Sequence, residues 1–326
     1  FIDTFQKLSL DLLRTTLSKN DTFVNAESLA GFLPFFEDAL KSDNEGVIIS
    51  TLRVLGLIMD VPFETESDIF KSCARRCLSI IKNYPSTESE LCQACYKYLS
   101  NIIRHREDLS LKESSLGYLL VRIQPDLQEQ SRQGMAFNFL KALVAKHVMI
   151  PEVYDTMDKI REVMVTSHSK ERRDMSRSIY FQFIMEYDQG KGRLEKQFKF
   201  LVNNLSYPAE TGKQSVMELI HLILQKSGRE LLEALSSSFF VALAKVLISE
   251  TSTKTREMSI ALISSIFEKM GTEPYEKYIL GWLNSQNSSL LRCSLQLYRI
   301  KLKVNSLFGN ELDDAVIASI KSILES

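Results

Sequence analysis

The feature of this sequence that most constrains its fold is a recurring unit of two amphipathic helices joined by a short polar turn. In the first copy, apolar residues fall at i, i+3, i+4, i+7 and i+11, one face of a helix, at Leu29, Phe32, Leu33, Phe36 and Leu40. A polar turn over 42–46 follows. A second apolar stripe then runs through Ile48, Leu52, Leu55 and Met59, and Pro62 ends the unit.

The unit recurs about every forty residues along the chain. A residue early in each second helix can be followed through Ile48, Leu91, Met135, Met175, Val216, Met258 and Leu295, in steps of 43, 44, 40, 41, 42 and 37 residues. These steps are typical of HEAT and armadillo repeats (~40–47 residues), and two helices per unit favour the HEAT type. The predicted units are 28–62, 68–108, 114–151, 152–190, 193–233, 235–271 and 273–308, with partial units at 1–20 and 311–326.

Such hairpins stack because one hairpin alone cannot bury the apolar stripes of both its helices. Neighbouring hairpins join their stripes into a continuous core, in which burial of each Leu or Phe is worth ~1.5–3 kcal/mol. With 44% apolar residues but only 12 Gly and 7 Pro in 326 residues, the composition disfavours an all-β fold, which needs frequent turns. The sequence therefore predicts an all-α protein, one continuous α-solenoid of about seven HEAT-like repeats over 1–326.

The net charge and the chain ends indicate which partners to expect and whether the chain is part of a larger protein. The formal net charge is −1, so the chain lacks the basic character usual for a free-standing DNA-binding domain. No apolar run approaches the ~18 residues of a membrane span, so no membrane partner is expected. Because the chain opens at Phe1 without an initiator Met and ends within a helical pattern, we expect it to be part of something larger.

The five cysteines predict a reduced intracellular protein, since they are odd in number and lack the spacing of a disulfide framework. Cys73 and Cys77 are spaced i,i+4, and Cys92 and Cys95 i,i+3, so each pair shares one face of its helix. If the two helices form a hairpin around 84–85, the pairs approach one another and a zinc site can form. The alternative, which we favour, is that all four are core residues, the usual environment of free cysteine.

No arrangement typical of an enzyme stands out. The four histidines, at 105, 147, 168 and 221, lie in no catalytic motif, and His168, in a predicted turn between two serines, is typical of a solvated residue. The run Thr-Gly-Lys-Gln-Ser at 211–215 resembles the end of a phosphate-binding P-loop. It lacks the first Gly of that motif, has Gln where Ser or Thr is required, and follows no strand. We therefore predict no catalytic residue, metal, cofactor or small-molecule substrate.

Basic residues cluster in the turns and at the starts of second helices. In a solenoid, equivalent positions of successive repeats line one edge, so these residues can form a basic ridge that follows a phosphate backbone. The candidate contact residues are Lys170, Arg172, Arg173, Arg177, Lys191, Arg193, Lys213, Lys254 and Arg256. Two other interpretations stay open. Basic residues here can bond to the neighbouring repeat, and interspersed acids such as Glu171 and Glu250 are typical of a solvated face.

The turn Tyr-Asp-Gln-Gly-Lys-Gly-Arg at 187–193 is the best local candidate for a contact site. Gly190 and Gly192 permit backbone conformations that other residues resist, and Lys191 and Arg193 stand beside them. The alternative, which we favour, is a helix C-cap followed by the start of the next repeat.

Four runs carry a resemblance to a particular family. They are ERRDMSR at 171–177, MEYDQGKGRL at 185–194, FLVNNLSYP at 200–208 and GKQSVMEL at 212–219. Together they resemble a segment of a family of very large nucleolar HEAT-repeat proteins, called Down-Regulated in Metastasis in animals. Members of this family are components of the U3 small nucleolar ribonucleoprotein and the small-subunit processome. The likeness covers about 171–224, and the rest of the chain matches in repeat style.

The resemblance implies a scaffold in pre-ribosome assembly that supports processing of the small-subunit ribosomal RNA precursor in the nucleus and nucleolus. It implies assembly-factor proteins and pre-ribosomal RNA as partners, no enzymatic activity and no cofactor. It carries over no contact residues, since no motif defines them. Two alternatives stay open: a solenoid like the nuclear-transport receptors that binds protein cargo, and the regulatory helical arm of an enzyme whose active site lies elsewhere.

Overall fold

The regular structure of the chain is helical throughout the described part. The computed structural model describes residues 2–63, 69–308, 317, 318 and 321, apart from the side chains of Asp21, Lys191 and 305–308. In these residues there are sixteen α-helices, three short 3-10 helices and no strand. The predicted all-α class is thereby confirmed. The predicted start of the second unit at 68 and most of the partial unit at 311–326 lie outside the described residues.

The contacts divide the chain into two compact units, Phe1–Lys159 and Ile160–Ser326. In the first, α1, α4, α6 and α8 pack in succession, while α5 packs on α6 and α3 on α4 and α5. The predicted continuity of the solenoid across the boundary, and the predicted repeat limits, stay predictions. The helices of this unit are α1 (Ile2–Lys19), α2 (Ala26–Ala30), α3 (Leu33–Ala39), α4 (Glu45–Leu57), α5 (Ile69–Asn83), α6 (Glu90–His105), α7 (Glu113–Ile123) and α8 (Gln133–Ala145), and α9 (Pro151–Thr166) crosses the boundary.

The second unit repeats the same arrangement of helical hairpins. Its second helices α10, α12, α14 and α16 pack in succession, and the first helices α11, α13 and α15 pack on them. The pattern predicted for the sequence, two apolar stripes per hairpin joined between neighbours, is therefore present within this unit. Its helices are α10 (Lys170–Glu186), α11 (Gly190–Asn204), α12 (Glu210–Lys226), α13 (Arg229–Ser249), α14 (Thr253–Met270), α15 (Glu276–Leu283) and α16 (Ser288–Phe308).

The first predicted helix, over 29–40, is in fact two short helices, α2 and α3. Gly31 is the C-cap of α2, and Pro34 stands in the first turn of α3, where its missing N–H breaks no helical hydrogen bond. Leu29 and Phe36 are fully buried, as the stripe predicts. Phe32 is 37% exposed, because the break between the helices takes it off the buried side, so its assignment to the stripe was wrong.

The last repeat marker was also misplaced. Leu295 is 39% exposed, while Cys293 and Leu297 on either side of it are buried, as are Tyr298 and Val304. Buried residues at 293, 297, 300 and 304 follow the helical period, which places Leu295 on the opposite side of α16. The apolar face of this helix is therefore shifted by two residues from the predicted one.

Helix α13 is long and apolar enough, by length and composition alone, to cross a membrane. Its Phe239, Phe240 and Leu243 are fully buried inside the second unit. Phe239 packs on Phe198 of α11 and Phe240 on Phe267 of α14, and α13 also contacts α16. Helix α13 is therefore apolar because it is a core helix that packs against several neighbouring helices.

The four cysteines of α5 and α6 are fully buried. Burial, followed by hydrogen bonds with the thiols of Cys73 and Cys95, raises the pKa of the Cys77 thiol well above its ordinary value. Among the described residues, no group of three or more His, Cys, Asp or Glu side chains is arranged to hold a metal ion. These contacts favour the core interpretation of Cys73, Cys77, Cys92 and Cys95.

Candidate functional site

The candidate contact residues all lie in the second unit, close to the starts of its helices. Each of these helices begins after a short polar connection. Basic side chains near the helix starts therefore lie close to the turns. Lys170, Arg172, Arg173 and Arg177 lie in α10, Lys191 and Arg193 in α11, Lys213 in α12, and Lys254 and Arg256 in α14. The side chain of Lys191 lies outside the described part.

Arg173 is directed inward, toward the turn before its own helix. It is only 8% exposed, and its Nη1 donates hydrogen bonds to the backbone carbonyls of Ser167 (2.7 Å) and His168 (3.0 Å). These carbonyls follow the end of α9, where helical partners are lacking. The guanidinium of Arg173 therefore fixes the turn between α9 and α10, and His168 itself is exposed in that turn, as predicted.

Arg177 joins two neighbouring hairpins. Its Nη1 lies 2.5 Å from Glu218 Oε2 and 3.3 Å from Ser215 Oγ, both in α12. Its Nη2 donates to Asp174 Oδ1 of α10 at 2.8 Å. With its side chain only 15% exposed, Arg177 is a bridge between α10 and α12 whose charge is matched by two carboxylates.

Lys213 and Glu250 form a second bridge, from the start of α12 to the residue that ends α13. The Lys213 ammonium donates to the Glu250 carboxylate, and both side chains are shielded, being 15% and 10% exposed. The carboxylate also accepts from the backbone N–H groups of Thr251 (2.9 Å) and Ser252 (3.1 Å). The hydrogen bond from Lys213, more than those from the backbone, lowers the pKa of Glu250 below its ordinary value.

These bonds belong to a set that we call the inter-hairpin links. Glu210 accepts from Ser252 Oγ at 2.5 Å and from Thr255 Oγ1 at 3.3 Å, again from α12 to α14. The partners in the links stand 37 to 45 residues apart in sequence, which is one repeat step. In the first unit, Arg53–Glu90 (2.7 Å) and Arg132–Glu88 (2.5 Å) span 37 and 44 residues. Arg177 and Lys213 therefore bond to a neighbouring hairpin, which is one of the two other interpretations of these basic residues. Arg173 instead bonds within the turn that precedes its own helix.

The remaining candidates lie nearer the surface. Lys170, Arg193 and Lys254 are exposed, and Arg172 and Arg256 are half-buried. Lys170, Arg172, Lys254 and Arg256 lie at the starts of the second helices α10 and α14, whereas Arg193 lies at the start of α11, a first helix, so these residues do not all occupy equivalent turns of the hairpins. Contact of these residues with a phosphate backbone stays a prediction.

The turn at 187–193 is built as a helix C-cap followed by a new helix. The backbone N–H of Tyr187 donates to the Phe183 carbonyl, which also accepts from the buried Gln189 Nε2 at 2.8 Å. Gly190 donates to Asp188 Oδ1 at 2.9 Å as α11 begins. Gly190 and Gly192 have φ values of 53° and 81°, in the left-handed region that favours glycine.

The run at 211–215 that resembles the end of a P-loop is part of helix α12, in agreement with the prediction that it is not a P-loop. Gly212 lies in the first turn of α12 and is buried against the end of α9. A Cβ at this position would lie 2.5 Å from the backbone oxygen of Val165 and 2.7 Å from the Tyr207 ring. The glycine therefore allows the close packing of α12 on α9, and the following Lys213 is held by Glu250.

Sequence reasoning missed a groove between α11 and α13 that is flanked by exposed lysines. Lys199 of α11 and Lys245 of α13 are exposed, and Lys245 lines the groove. The signal for Lys196 and Lys199 was present, since these two lysines are three residues apart and follow Arg193 in the same helix. Lys245 gave none, because only the packing of α13 beside α11 brings it to the same surface.

Comparison with solved structures bears on the fold. No protein-family model matches the chain. The crystal structure of Kap121p is similar to 92% of this chain and 36% of its own, with a TM-score of 0.55 and 11% sequence identity. This structural similarity supports the solenoid fold. At such low sequence identity it gives no information about function.

Comparison with curated proteins bears on the family. The chain is 53% identical, over 98% of its length, to the U3 small nucleolar RNA-associated protein 20 of Saccharomyces cerevisiae. It is 37% identical, over 91% of its length, to the protein of the same name from Schizosaccharomyces pombe. The chain spans 13% and 12% of these two relatives. The resemblance predicted from the runs at 171–219 is confirmed, and the chain is homologous to one segment of the U3 small nucleolar RNA-associated protein 20 family.

Proposed function

We propose that this chain is a non-enzymatic scaffold segment in the biogenesis of the small ribosomal subunit. It acts in the nucleolus, within the small-subunit processome, during processing of the ribosomal RNA precursor. The observation that carries the proposal is the 53% identity, over nearly the whole chain, to a protein named for its association with the U3 small nucleolar RNA. Identity at this level extends far beyond what a shared solenoid fold requires.

The inter-hairpin links support a scaffold role. A stacked chain holds its shape through its nearest-neighbour interfaces, and each shielded link fixes one hairpin against the next. Arg177–Glu218 and Lys213–Glu250 do this at successive interfaces of the second unit. Surfaces formed by several hairpins are thereby presented in a fixed arrangement, which is what simultaneous contact with assembly-factor proteins and pre-ribosomal RNA requires.

A transport-receptor-like solenoid that carries protein cargo is the second candidate. The similarity to Kap121p favours it as far as fold is concerned. That similarity is at 11% identity, whereas the relatives at 53% and 37% bear the name of a small nucleolar RNA-associated protein. The sequence relationship therefore favours the scaffold.

Co-purification of the full-length protein tests the proposal. We expect it to be recovered with pre-ribosomal RNA and with assembly factors of the small subunit, from a nucleolar fraction. As a matched test of the segment, this chain replaces the corresponding segment in the Saccharomyces cerevisiae relative, with a deletion of the segment as control. The exchange is expected to support accumulation of small-subunit ribosomal RNA where the deletion does not. Recovery with nuclear-transport factors and without pre-ribosomal RNA would contradict the scaffold.

A further inference from the structure

A groove in the second unit runs between α11 and α13 and reaches α15. Its volume is about 630 Å³, within the ~300–1,000 Å³ of sites that hold small molecules or nucleotides. The last turn of α11 and the second half of α13 line the groove, together with Lys213 of α12 and Tyr278 of α15. We call it the α11–α13 groove.

The polar atoms of the α11–α13 groove suit a strand of phosphates and ribose hydroxyls. The amide of Asn203 and the hydroxyls of Ser237 and Ser238 offer donors to phosphate oxygens. The hydroxyls of Ser206 and Ser249 already donate to carbonyls of Asn203 and Lys245, at 2.8 and 3.0 Å. Their oxygens are left as acceptors, which a ribose 2′-hydroxyl can satisfy and a deoxyribose cannot.

The charge of the α11–α13 groove is positive. Lys245 is exposed along its wall. The groove also contains Glu250, but the charge of that carboxylate is matched by Lys213 and by two backbone N–H groups. The ammonium of Lys245 therefore dominates the field that a ligand in the groove meets.

A stripe of exposed cations leads along α11 into the groove. Lys196 and Lys199 are three residues apart, and Asn203 follows four residues later, so the three share one side of the helix. Glu195 is exposed beside them and offsets part of the charge. Together with Lys245, the stripe still presents three cations to one carboxylate on the path of a polyanion.

Tyr278 supplies an aromatic face. Its ring lies 6.1 Å from the rings of both Phe240 and Trp282, which support it from within the unit. The ammonium of the exposed Lys277 lies over the same ring, 5.0 Å from its centroid, so a base that stacks on this face displaces that flexible side chain. Cationic grooves with an aromatic platform are typical of proteins that bind single-stranded nucleic acid, where each stacked base contributes ~1–3 kcal/mol.

From this arrangement we propose that the α11–α13 groove binds single-stranded RNA. The backbone follows Lys196, Lys199 and Lys245, ribose hydroxyls meet the serines, and one base lies against Tyr278. An acidic peptide would use the same lysines, but it has no need of the acceptor hydroxyls or the aromatic platform, so the observations favour RNA. The inference rests on the proposed function, since it names the RNA-contacting surface of the scaffold.

Ultraviolet crosslinking of the full-length protein in cells tests the inference. Nucleotide adducts are mapped by mass spectrometry to peptides of the segment, and we expect them on the peptides that carry Lys245 and Tyr278. In the double variant Lys199→Glu/Lys245→Glu, adducts on these peptides fall by at least about five-fold, because two phosphate contacts become repulsive. Lys82→Glu/Lys226→Glu makes the same charge change at exposed residues that do not line the groove and leaves the adduct yield unchanged.

Two substitutions of Tyr278 separate the ring from its hydroxyl, and circular dichroism of each variant shows whether the helices still form. Tyr278→Phe keeps the ring and retains the adducts on the Lys245 peptide, whereas Tyr278→Ala removes the platform and reduces them about five-fold or more. Adducts elsewhere on the protein with none in the groove, equal losses in both double variants, or chemical crosslinks of the lysines to an acidic protein in place of RNA would overturn the inference. The proposed function survives these results as long as pre-ribosomal RNA still co-purifies.

Discussion

Arg177 and Glu218, one repeat step apart, form an ion pair in which Nη1 lies 2.5 Å from Oε2 across the interface of α10 and α12. The arginine is 15% exposed and the glutamate 47%, so water screens the pair on one side only. The same guanidinium also binds Asp174 and Ser215. Since the stability of a stacked chain is a sum over such interfaces, this link contributes where hairpins join.

Replacement of Arg177 tests that contribution. Arg177→Met keeps an unbranched apolar stem and removes three hydrogen-bonded contacts, so we expect a loss of about 1–2 kcal/mol in the free energy of unfolding. In a double-mutant cycle with Glu218→Gln, the coupling energy is about 1 kcal/mol, at the upper end for a partly exposed pair. Urea unfolding followed by circular dichroism measures both quantities.

The matched control is the pair Arg229–Glu233 within α13. Its side chains are 80% and 56% exposed and its partners stand only four residues apart, so it joins nothing beyond its own helix. Arg229→Met is expected to change the free energy of unfolding by less than about 0.5 kcal/mol. A coupling energy of zero between Arg177 and Glu218 would show that this ion pair does not contribute to the free energy of unfolding.

Gly212 provides the second prediction, through the close approach of α12 to α9. In Gly212→Ala the added methyl group meets the Val165 carbonyl oxygen at 2.5 Å, and backbone cannot move aside as a flexible side chain can. We expect a loss of about 1–3 kcal/mol in the free energy of unfolding, the usual result of overpacking a tight contact. Thermal or urea unfolding of the variant measures it.

The control for this substitution is Gly281, inside α15. Apart from its chain neighbours and the backbone of its own helix, no atom would lie within 4 Å of a Cβ at this position. Gly281→Ala therefore gains the helical preference of alanine without a clash, and we expect about 0.5–1 kcal/mol of stabilisation. If both alanine variants had the same effect, the close approach at Gly212 would not be what limits that site.

The stacked helical hairpins could be predicted from the sequence, whereas the partners of the basic residues could not. Helical stripes are local patterns, so Leu29, Phe36 and the repeat step predict the stacked hairpins directly. The partner of Lys213 is not local, since Glu250 follows 37 residues later and becomes its neighbour only when hairpins stack. A basic residue beside a turn looks the same in both situations, which is why Arg177 and Lys213 were read as candidates for phosphate contact. Lys245 was overlooked for the converse reason, because its surface exists only once α13 lies beside α11.

The Lys213–Glu250 link predicts a dependence of stability on pH. Lys213 lowers the pKa of Glu250 in the folded protein below its ordinary value of 4.5. A lowered carboxylate pKa stabilises the folded state above the unfolded pKa, and this stabilisation is lost as the pH falls through the folded pKa. We expect Glu250→Gln to cost about 1.5–3 kcal/mol at pH 7, the range for hydrogen bonds to charged groups.

The difference between the wild-type chain and Glu250→Gln is the quantity to follow. It should be constant from pH 7 to about pH 5 and should shrink below pH 4.5, because protonation of Glu250 then removes the same charge that the substitution removes. Urea unfolding at several pH values measures the difference. A constant difference down to pH 3 would show that the charge of Glu250 contributes nothing to the link.

The buried cysteines give the last prediction, which also decides between core residues and a zinc site. Burial raises the pKa of Cys92 and of Cys293 to about 11, so at pH 8 only about 0.1% of each thiol is the reactive thiolate. All five thiols are also shielded from solvent. We expect iodoacetamide to label none of them in the folded chain and all five in urea, as read by mass spectrometry. A zinc site would instead hold its cysteines as thiolates, so one zinc ion per chain, released by a chelator together with helical structure, would contradict the core interpretation.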